Sequence, residues 1–406
     1  MAVYAPRVAK TFFTYGGTTQ TDRRHLLIMV SYYDHKLNRV PRPVIVMDKA
    51  GVDDPHDNAA INLDAKGYIW VFVSGRGRKR MGAKYRSRKP YDISAFERIS
   101  DEEMTYPQPH YGAGKGFFHL FTKYTGSDGK GRQLYWETSS DGKTWSEDKA
   151  LSLMPGHYQV SSEWRGKIGT FFNVHPGADV DRRTNVYYAQ TADWGKTWTT
   201  ASGQPLSVPL TEIDNAALVV DYQKQNRLMY TCDLNWDKDG KPLLLYVTGK
   251  KAAPGPDGEP RELVLTRWTG ARWQTRKIAD VDHNYDDGSL WVDGDMWTVI
   301  APTKVGPQPW QGGGEMMLWT SRDGGESWKM TRQITRESRF NHNYARRPLR
   351  AKDPFFAFWA DGDPTEFSKS QLYFCDSSGH AYGLPYDMRG AFATPVEVYG
   401  ALQPRR

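Results

Sequence analysis

The sequence predicts an all-β protein, a single seven-bladed β-propeller domain over residues 1–406, its ring closed by pairing of N- and C-terminal strands. Three observations carry that expectation. Helical periodicity is almost absent. Apolar or alternating runs of about 5–8 residues, rich in Val, Ile, Tyr, Phe and Trp and bounded by turn residues, recur throughout. Leu26-Leu27-Ile28-Met29-Val30, Tyr68-Ile69-Trp70-Val71-Phe72-Val73, Phe117-Phe118-His119-Leu120-Phe121 and Trp297-Thr298-Val299-Ile300 are examples. Finally, a turn closed by tryptophan returns along the chain, the mark of a repeat architecture.

The repeat reads Ser139-Ser140-Asp141-Gly142-Lys143-Thr144-Trp145, then Thr191-Ala192-Asp193-Trp194-Gly195-Lys196-Thr197-Trp198, then Ser321-Arg322-Asp323-Gly324-Gly325-Glu326-Ser327-Trp328. It resembles the Asp box of sialidase-like repeats, with one residue missing in the first copy and Ser replacing Thr in the third. A degenerate copy ends at Arg272-Trp273. The longest step, from Trp198 to Trp273, contains the polar insertion Ala253-Pro254-Gly255-Pro256-Asp257-Gly258. The box is a folding device. Its Asp accepts backbone N–H bonds in a tight turn, its Gly takes a strained angle and its Trp packs into the blade.

Dividing the chain by this period gives about seven blades of four strands. Innermost strands are expected near residues 58–64, 108–112, 158–164, 215–221, 288–293 and 344–350. The remaining blade is expected to join the N-terminal strands to Pro395-Val396-Glu397-Val398-Tyr399. Such a closure removes open sheet edges.

Composition excludes several classes. The 15 Trp and 23 Tyr are incompatible with a disordered chain. Two distant cysteines, Cys232 and Cys375, cannot make a disulfide framework or a Cys-based zinc site. No run of 18 apolar residues exists, so no membrane helix is expected, and the first residues show no signal peptide. A secreted or periplasmic protein shown without its leader reads the same way, and that location is the expectation. Gly75-Arg76-Gly77-Arg78 precedes no helical pattern, which argues against a phosphate loop and a nucleotide partner. The net charge of +7 suits an acidic polymer. Asp233-Leu234-Asn235-Trp236-Asp237-Lys238-Asp239-Gly240 resembles a calcium loop but lacks the downstream Glu. No metal or other cofactor is therefore required, and a structural calcium has no motif behind it. A monomer is expected.

The segments leading into the innermost strands share an unusual composition. They are His56-Asp57-Asn58, Tyr106-Pro107-Gln108-Pro109-His110, His157-Tyr158-Gln159, Asp214-Asn215, His283-Asn284-Tyr285-Asp286 and His342-Asn343-Tyr344. Turn chemistry explains Asn and Asp there, but not recurring His and Tyr. In a propeller these segments ring the mouth of the central channel. Loops leaving each second strand reach the same face, bringing Arg76, Arg78, Lys123, His175, Arg182, Arg183, Asp233, Asn235 and Lys304. Neutral donors and aromatic faces suit sugar rings, and cations suit carboxylate or sulfate. The expected contact set is Arg76, Arg78, His110, Lys123, Tyr158, His175, Arg183, His283, Tyr285, His342, Tyr344 and Arg346. On the opposite face, the turn Tyr32-Tyr33-Asp34-His35-Lys36-Leu37-Asn38-Arg39 lacks an Asp box. It offers an acid, a histidine and two cations instead.

Over nearly its whole length the chain resembles the BNR-repeat propellers of polysaccharide-degrading enzymes. The matching pieces are Lys10-Thr11-Phe12-Phe13-Thr14-Tyr15-Gly16-Gly17, Tyr33-Asp34-His35, Asp54-Pro55-His56-Asp57-Asn58, Gly67-Tyr68-Ile69-Trp70-Val71, Thr105-Tyr106-Pro107-Gln108 and Arg183-Thr184-Asn185-Val186-Tyr187-Tyr188. Two enzyme groups share the architecture. Resemblance to the ulvan-lyase-like group implies His56 and Tyr106 as catalytic groups. Arg76 stands where that group has a second histidine, and Thr122 or Lys123 where it has an arginine. Elimination needs the uronate carboxylate neutralised and the C5 proton removed. Arg76 and Lys123 are expected to neutralise, with Tyr106 or His56 as base. Resemblance to hydrolases that release L-rhamnose from α-1,4-linked glucuronate implies one histidine on the opposite face, here His35. Lys36 and Arg39 are expected to hold the carboxylate.

The expected function is action on an acidic, rhamnose- and uronate-containing glycan. Exo-acting hydrolysis of L-rhamnose-α-1,4-D-glucuronate with His35 as acid/base is the first reading, and β-elimination through His56 and Tyr106 is the second. A non-catalytic glycan-binding propeller is the third. A sialidase is disfavoured, because no F/Y-R-I-P segment stands near the start and Arg42-Pro43 is only a fragment of one.

Overall fold

The computed structural model describes residues 1–18, 24–125 and 131–398. Seven antiparallel sheets follow one another along the chain. Blade 1 is Ala2–Ala5, Lys10–Gly17, His25–Asp34 and Val44–Ala50; blade 2 is Ala59–Leu63, Ile69–Val73, Gly82–Ser87 and Phe96–Glu102. Blade 3 is Thr105–Gly112, Gly116–Thr125, Gly131–Ser139 and Lys149–Ser152. Blade 4 starts with Gln159–Trp164, Lys167–Val174 and Thr184–Thr191, then adds the short strands Trp198–Thr199, Pro205–Leu206 and Leu218–Val220. Blade 5 is Leu228–Trp236, Pro242–Gly249, Arg261–Trp268 and Trp273–Val281; blade 6 is Ser289–Asp293, Met296–Lys304, Glu315–Ser321 and Lys329–Gln333. Blade 7 is Asn341–Arg346, Ala357–Gly362, Leu372–Cys375, Ala381–Gly383 and Val396–Val398. Among the described residues the helical elements are four three-residue 3-10 turns, none long and apolar enough to cross a membrane. The all-β, seven-bladed expectation holds.

Strand alternation explains why the blades stack. Neighbouring residues point to opposite sheet faces, so each blade feeds two interfaces. Phe117 packs with Trp70 and Phe72 of blade 2, whereas Phe118 packs with Phe172 and Trp198 of blade 4. Every buried apolar cluster joins two consecutive blades in this way. The seventh joins the ends: Ala2, Phe13, Tyr33 and Val40 of blade 1 meet Phe355, Phe358, Phe374 and Leu384 of blade 7. This cluster, with the Tyr4 N–H donating to the Leu349 carbonyl at 2.9 Å, closes the ring.

Two expectations need correction. Val396–Val398 does not complete blade 1; it pairs with Ala381–Gly383 as the outermost strand of blade 7. The ends of the chain do pair, but through Val40–Pro41 and Phe392–Ala393. Blade 1 already has four strands of its own, so its edge needs no partner from the C-terminus. Tyr399 lies outside the described residues. Residues 215–221 do not form an innermost strand either. Leu218–Val220 pairs with the third strand of blade 4, and the innermost strand of blade 5 is Leu228–Trp236.

The Asp boxes lie between third and fourth strands, where the repeat placed them. Asp141 Oδ1 accepts from the Lys143 and Thr144 N–H groups, both at 2.8 Å, and Asp193 and Asp323 do the same for Thr197 and Ser327. Gly142 has φ 75°, and a Cβ there would meet the Trp70 ring at 2.3 Å. The glycine thus lets one blade's turn close over its neighbour's tryptophan.

Candidate active site

Connections from a fourth strand to the next first strand, and from second to third strands, open on one face, opposite the Asp boxes. Blade 2 supplies the first part of the site. The short turn Pro55–Asp57 buries Asp57, which pairs with Lys49 Nζ at 2.6 Å and Arg80 Nε at 2.8 Å. That anchor fixes the preceding Asp54 and the His56 ring. His56 Nδ1 donates to Asp54 Oδ1 at 2.5 Å, and Asp54 also pairs with Arg80 at 2.7 Å and Arg76 at 3.4 Å. Burial pushes the Asp54 carboxyl up, but the bonds from His56 and Arg80 outweigh it and hold it at about 2. The carboxylate fixes the ring tautomer, so Nε2 is the basic nitrogen. The His56 side chain is 50% exposed.

Tyr106 stands beside it, with ring centroids 6.1 Å apart. Its φ of 53° is left-handed, a strained choice for a bulky residue and one that clusters at functional sites. Arg76 and Arg132 donate to its hydroxyl at 3.3 and 3.2 Å. Tyr158 lies 5.5 Å from it, ring to ring. The Arg132 guanidinium sits 4.1 Å from the Tyr158 ring and 5.7 Å from Tyr124. The Arg183 guanidinium lies 4.5 Å from the Tyr158 ring, 4.3 Å from that of Tyr230 and 5.3 Å from that of Tyr285. Arg132 and Arg183 are buried, and neither pairs with a carboxylate among the described residues. A buried cation without a carboxylate partner is costly, so these arginines can accept an anionic group.

The field separates the two tyrosines. Burial pushes the Tyr158 phenol up, but Arg132 and Arg183 outweigh it and hold it below its ordinary value. Burial, then the charge on Tyr158, drives Tyr106 the other way, so Tyr106 keeps its proton. His175, whose ring lies 5.2 Å from Tyr158, is held neutral at about 2 by burial and by Arg132 and Arg183. Replacing Arg132 by alanine should therefore move the Tyr158 titration to higher pH. The tyrosinate ultraviolet difference spectrum reads this, and an unmoved titration would contradict the assignment.

The structure thus brings together His56, Tyr106, Arg76, Tyr158, His175, Arg183 and Tyr285 from the expected set. His283 stacks on Tyr285 at 5.6 Å and extends the wall toward blade 6. Arg346 lies 5.3 Å from Tyr344, whose φ is also left-handed at 58°, and donates to the Cys232 carbonyl at 3.5 Å. Other residues fall elsewhere. Lys123 turns to the opposite sheet face and pairs with Asp148, because strand alternation gives the site-facing position to Tyr124. Arg78 is 90% exposed and pairs with Glu103. His110 is buried against Ser161, and His342 is buried between Trp359 and Ser338. Both are framework groups. Asp233 and Asn235 lie within the innermost strand of blade 5, where Asp233 holds Arg347 at 3.1 Å, rather than in a loop. Lys304 bonds Gln333. The Asp237 carboxylate accepts from the Asp239 and Lys241 N–H groups, as an ordinary turn does.

The opposite-face group is a brace. His35 Nδ1 donates to the Asp353 carbonyl at 3.1 Å, and Nε2 accepts from Thr11 Oγ1 at 2.7 Å. Tyr4 and Tyr33 pack edge-on against the ring. With both nitrogens engaged, His35 has no free position for proton transfer in this arrangement. Arg39 covers Phe392 at 3.9 Å, and Lys36 is exposed.

Sequence reasoning missed Arg132, Tyr124, Tyr230 and Arg80. The available signal was strand pairing: Tyr124 and Arg132 are direct cross-strand partners. Counting positions from Tyr106 led to Lys123, one residue away on the wrong face.

The buried histidines also set acid sensitivity. Burial lowers His110, His157, His283 and His342 from 6.5 to about 4. Between these values the unfolded chain binds more protons than the folded one, so stability rises with pH. The contribution is complete above 6.5 and lost as pH falls to 4, on the order of 3 kcal/mol per enclosed ring. The urea midpoint should fall steeply across that window, whereas a flat midpoint would contradict the burial assignment.

A family model described as "BNR repeat-containing family member" matches residues 9–281. No curated protein sequence matches the chain. Among solved structures, a PL25 ulvan lyase bound to -[GlcA(1-4)Rha3S]- superposes with a TM-score of 0.74 at 16% identity, covering 93% of this chain and 92% of that one. The polysaccharide lyase Uly1 superposes at 0.63 with 12% identity, covering 97% and 88%. At such identities the likeness concerns the fold. The matched family model runs from blade 1 through the last strand of blade 5, and the chain belongs to the BNR repeat-containing family.

Proposed function

We propose that the protein is a carbohydrate-active enzyme that cleaves an acidic, uronate- and rhamnose-containing glycan by β-elimination in the funnel around Tyr106. One observation carries the reading. Among the described residues, Arg132 and Arg183 are buried without carboxylate partners, beside a histidine–aspartate pair and a tyrosine that keeps its proton. Elimination requires these parts: a cationic clamp for the uronate carboxylate, a base for the C5 proton and an acid for the leaving oxygen.

In this reading Arg132 and Arg76 hold the carboxylate and stabilise the charge that develops on it. His56 Nε2 takes the C5 proton. The C5–H electron pair becomes the C4=C5 double bond, the C4–O4 bond breaks, and Tyr106 gives its proton to O4. The resulting tyrosinate faces Arg76 and Arg132 and is reprotonated from solvent or His56. The PL25 ulvan lyase of similar fold is bound to -[GlcA(1-4)Rha3S]-, which agrees with this substrate class. Such a polysaccharide is met outside the cell or in the periplasm, where we place the enzyme.

Hydrolytic release of terminal L-rhamnose shares the substrate class and differs in depending on His35. His56→Ala and His35→Ala separate the two. With ulvan oligosaccharides, His56→Ala should abolish the unsaturated-uronate absorbance, while His35→Ala should retain it. With gum arabic, loss of rhamnose release in His35→Ala alone would reverse the assignment.

A further inference from the structure

A cavity of ≈ 630 Å³ opens between blades 6 and 7 on the Asp-box face, away from the funnel. Its walls come from the third Asp box, the start of the last strand of blade 6, and the turn after Leu372–Cys375. Arg322, Lys329 and Arg332 line it with Trp328, Ser377 and Ser378. No aspartate or glutamate lines it among the described residues. The Asp323 carboxylate is spent in its own turn on Ser327, Asp353 accepts from Ser377, and Asp376 accepts from Ser378. A second groove of ≈ 350 Å³, which carries Trp268 and is lined by Asp237, Asp295 and Asp323 as well as by cations, adjoins it across Arg322 and is not part of the proposed site.

We propose that this cavity is an accessory binding site for an acidic saccharide, a sulfated or carboxylated sugar. Three cations line a concave space whose described lining holds no carboxylate of its own, and the nearby Asp323, Asp353 and Asp376 are engaged by Ser327, Ser377 and Ser378, so the cations are left to attract an anion. Guanidinium forks match sulfate and carboxylate oxygens, the seryl oxygens, whose protons go to aspartates, can accept from sugar hydroxyls, and the indole suits a sugar's apolar face. The volume lies within the range of small-ligand pockets. Because the funnel lies on the other face, a polymer chain held here gains a second attachment point, which raises affinity for polymer over short fragments.

The test is affinity electrophoresis of the full chain in gels containing dextran sulfate, polygalacturonate or neutral dextran. The variant R322A/K329A/R332A is compared with K66A/K143A/K196A, which removes the same charge from exposed positions elsewhere. Binding to at least one acidic polymer should weaken about tenfold in the first variant and little in the second, with neutral dextran unaffected. Equal losses in both variants, or no loss in the first, would overturn the proposal. Should the first variant fail to fold, hydrogen exchange of the wild-type protein decides. Dextran sulfate fragments should protect residues 320–332 and 376–379, and unchanged exchange there would overturn it. Neither readout requires turnover, so failure here is distinct from failure of the elimination reading.

Discussion

Alanine at Arg132 should lower glycan cleavage by about 10²–10³-fold in kcat, the usual cost of removing one preorganised charge-stabilising donor. The side chain is 3% exposed, donates to Tyr106 Oη and covers the Tyr158 ring, so one substitution removes three functions. In the proposed elimination the carboxylate loses a clamp and the tyrosinate left after proton transfer loses a donor, while Tyr158 loses the charge that lowers it. Arg132→Lys should recover little, because a point charge cannot span the tyrosine hydroxyl and a substrate carboxylate as the planar fork does. The far-ultraviolet spectrum and the urea midpoint show whether the blades stay folded. A folded Arg132→Ala protein with less than a tenfold loss would remove the arginine from the reaction.

The second large effect concerns stability. Lys84 is 1% exposed and stands among Glu137 at 2.6 Å, Glu102 and the Trp145 ring at 3.6 Å. Glu137 is itself buried and accepts from His119 Nδ1 at 2.8 Å. Burial pushes its carboxyl up, and Lys84 pulls it back toward the charged form. Lys84→Met should therefore cost about 3–5 kcal/mol, because it strands a buried carboxylate. That is a large part of a total near 5–15 kcal/mol. The double variant K84M/E137Q should regain much of the loss, since the stranded charge is gone. Urea unfolding near neutral pH measures both. A single variant losing under about 1 kcal/mol would show the network to be solvated rather than buried.

What the sequence makes legible follows the range of the interactions involved. Asp141, Asp193 and Asp323 act on N–H groups a few residues away, so their motif can be read locally, and with it the blade repeat. His56, Tyr158 and Arg183 sit in connecting segments and Tyr106 at the irregular start of an innermost strand, where an aromatic or basic residue has no turn-forming reason to recur. Arg132 and Tyr124 are hidden because they lie within strands, and only cross-strand register reveals that they face the site. Blade 4 misleads because it has six strands, and its last short ones occupy the stretch of sequence that a simple repeat gives to the next blade. His35 misleads for another reason. The turn places it on the expected face, but Thr11 and Asp353, distant in sequence, occupy both of its nitrogens.

The most direct measurement is cleavage of a glucuronate–rhamnose oligosaccharide in water enriched in heavy oxygen, with the products weighed by mass spectrometry. Elimination in the funnel predicts one product carrying an unsaturated uronate and no heavy oxygen at the cleaved bond. Saturated products carrying heavy oxygen at that bond would mean hydrolysis, and the assignment of His56, Tyr106 and Arg132 would fall with it.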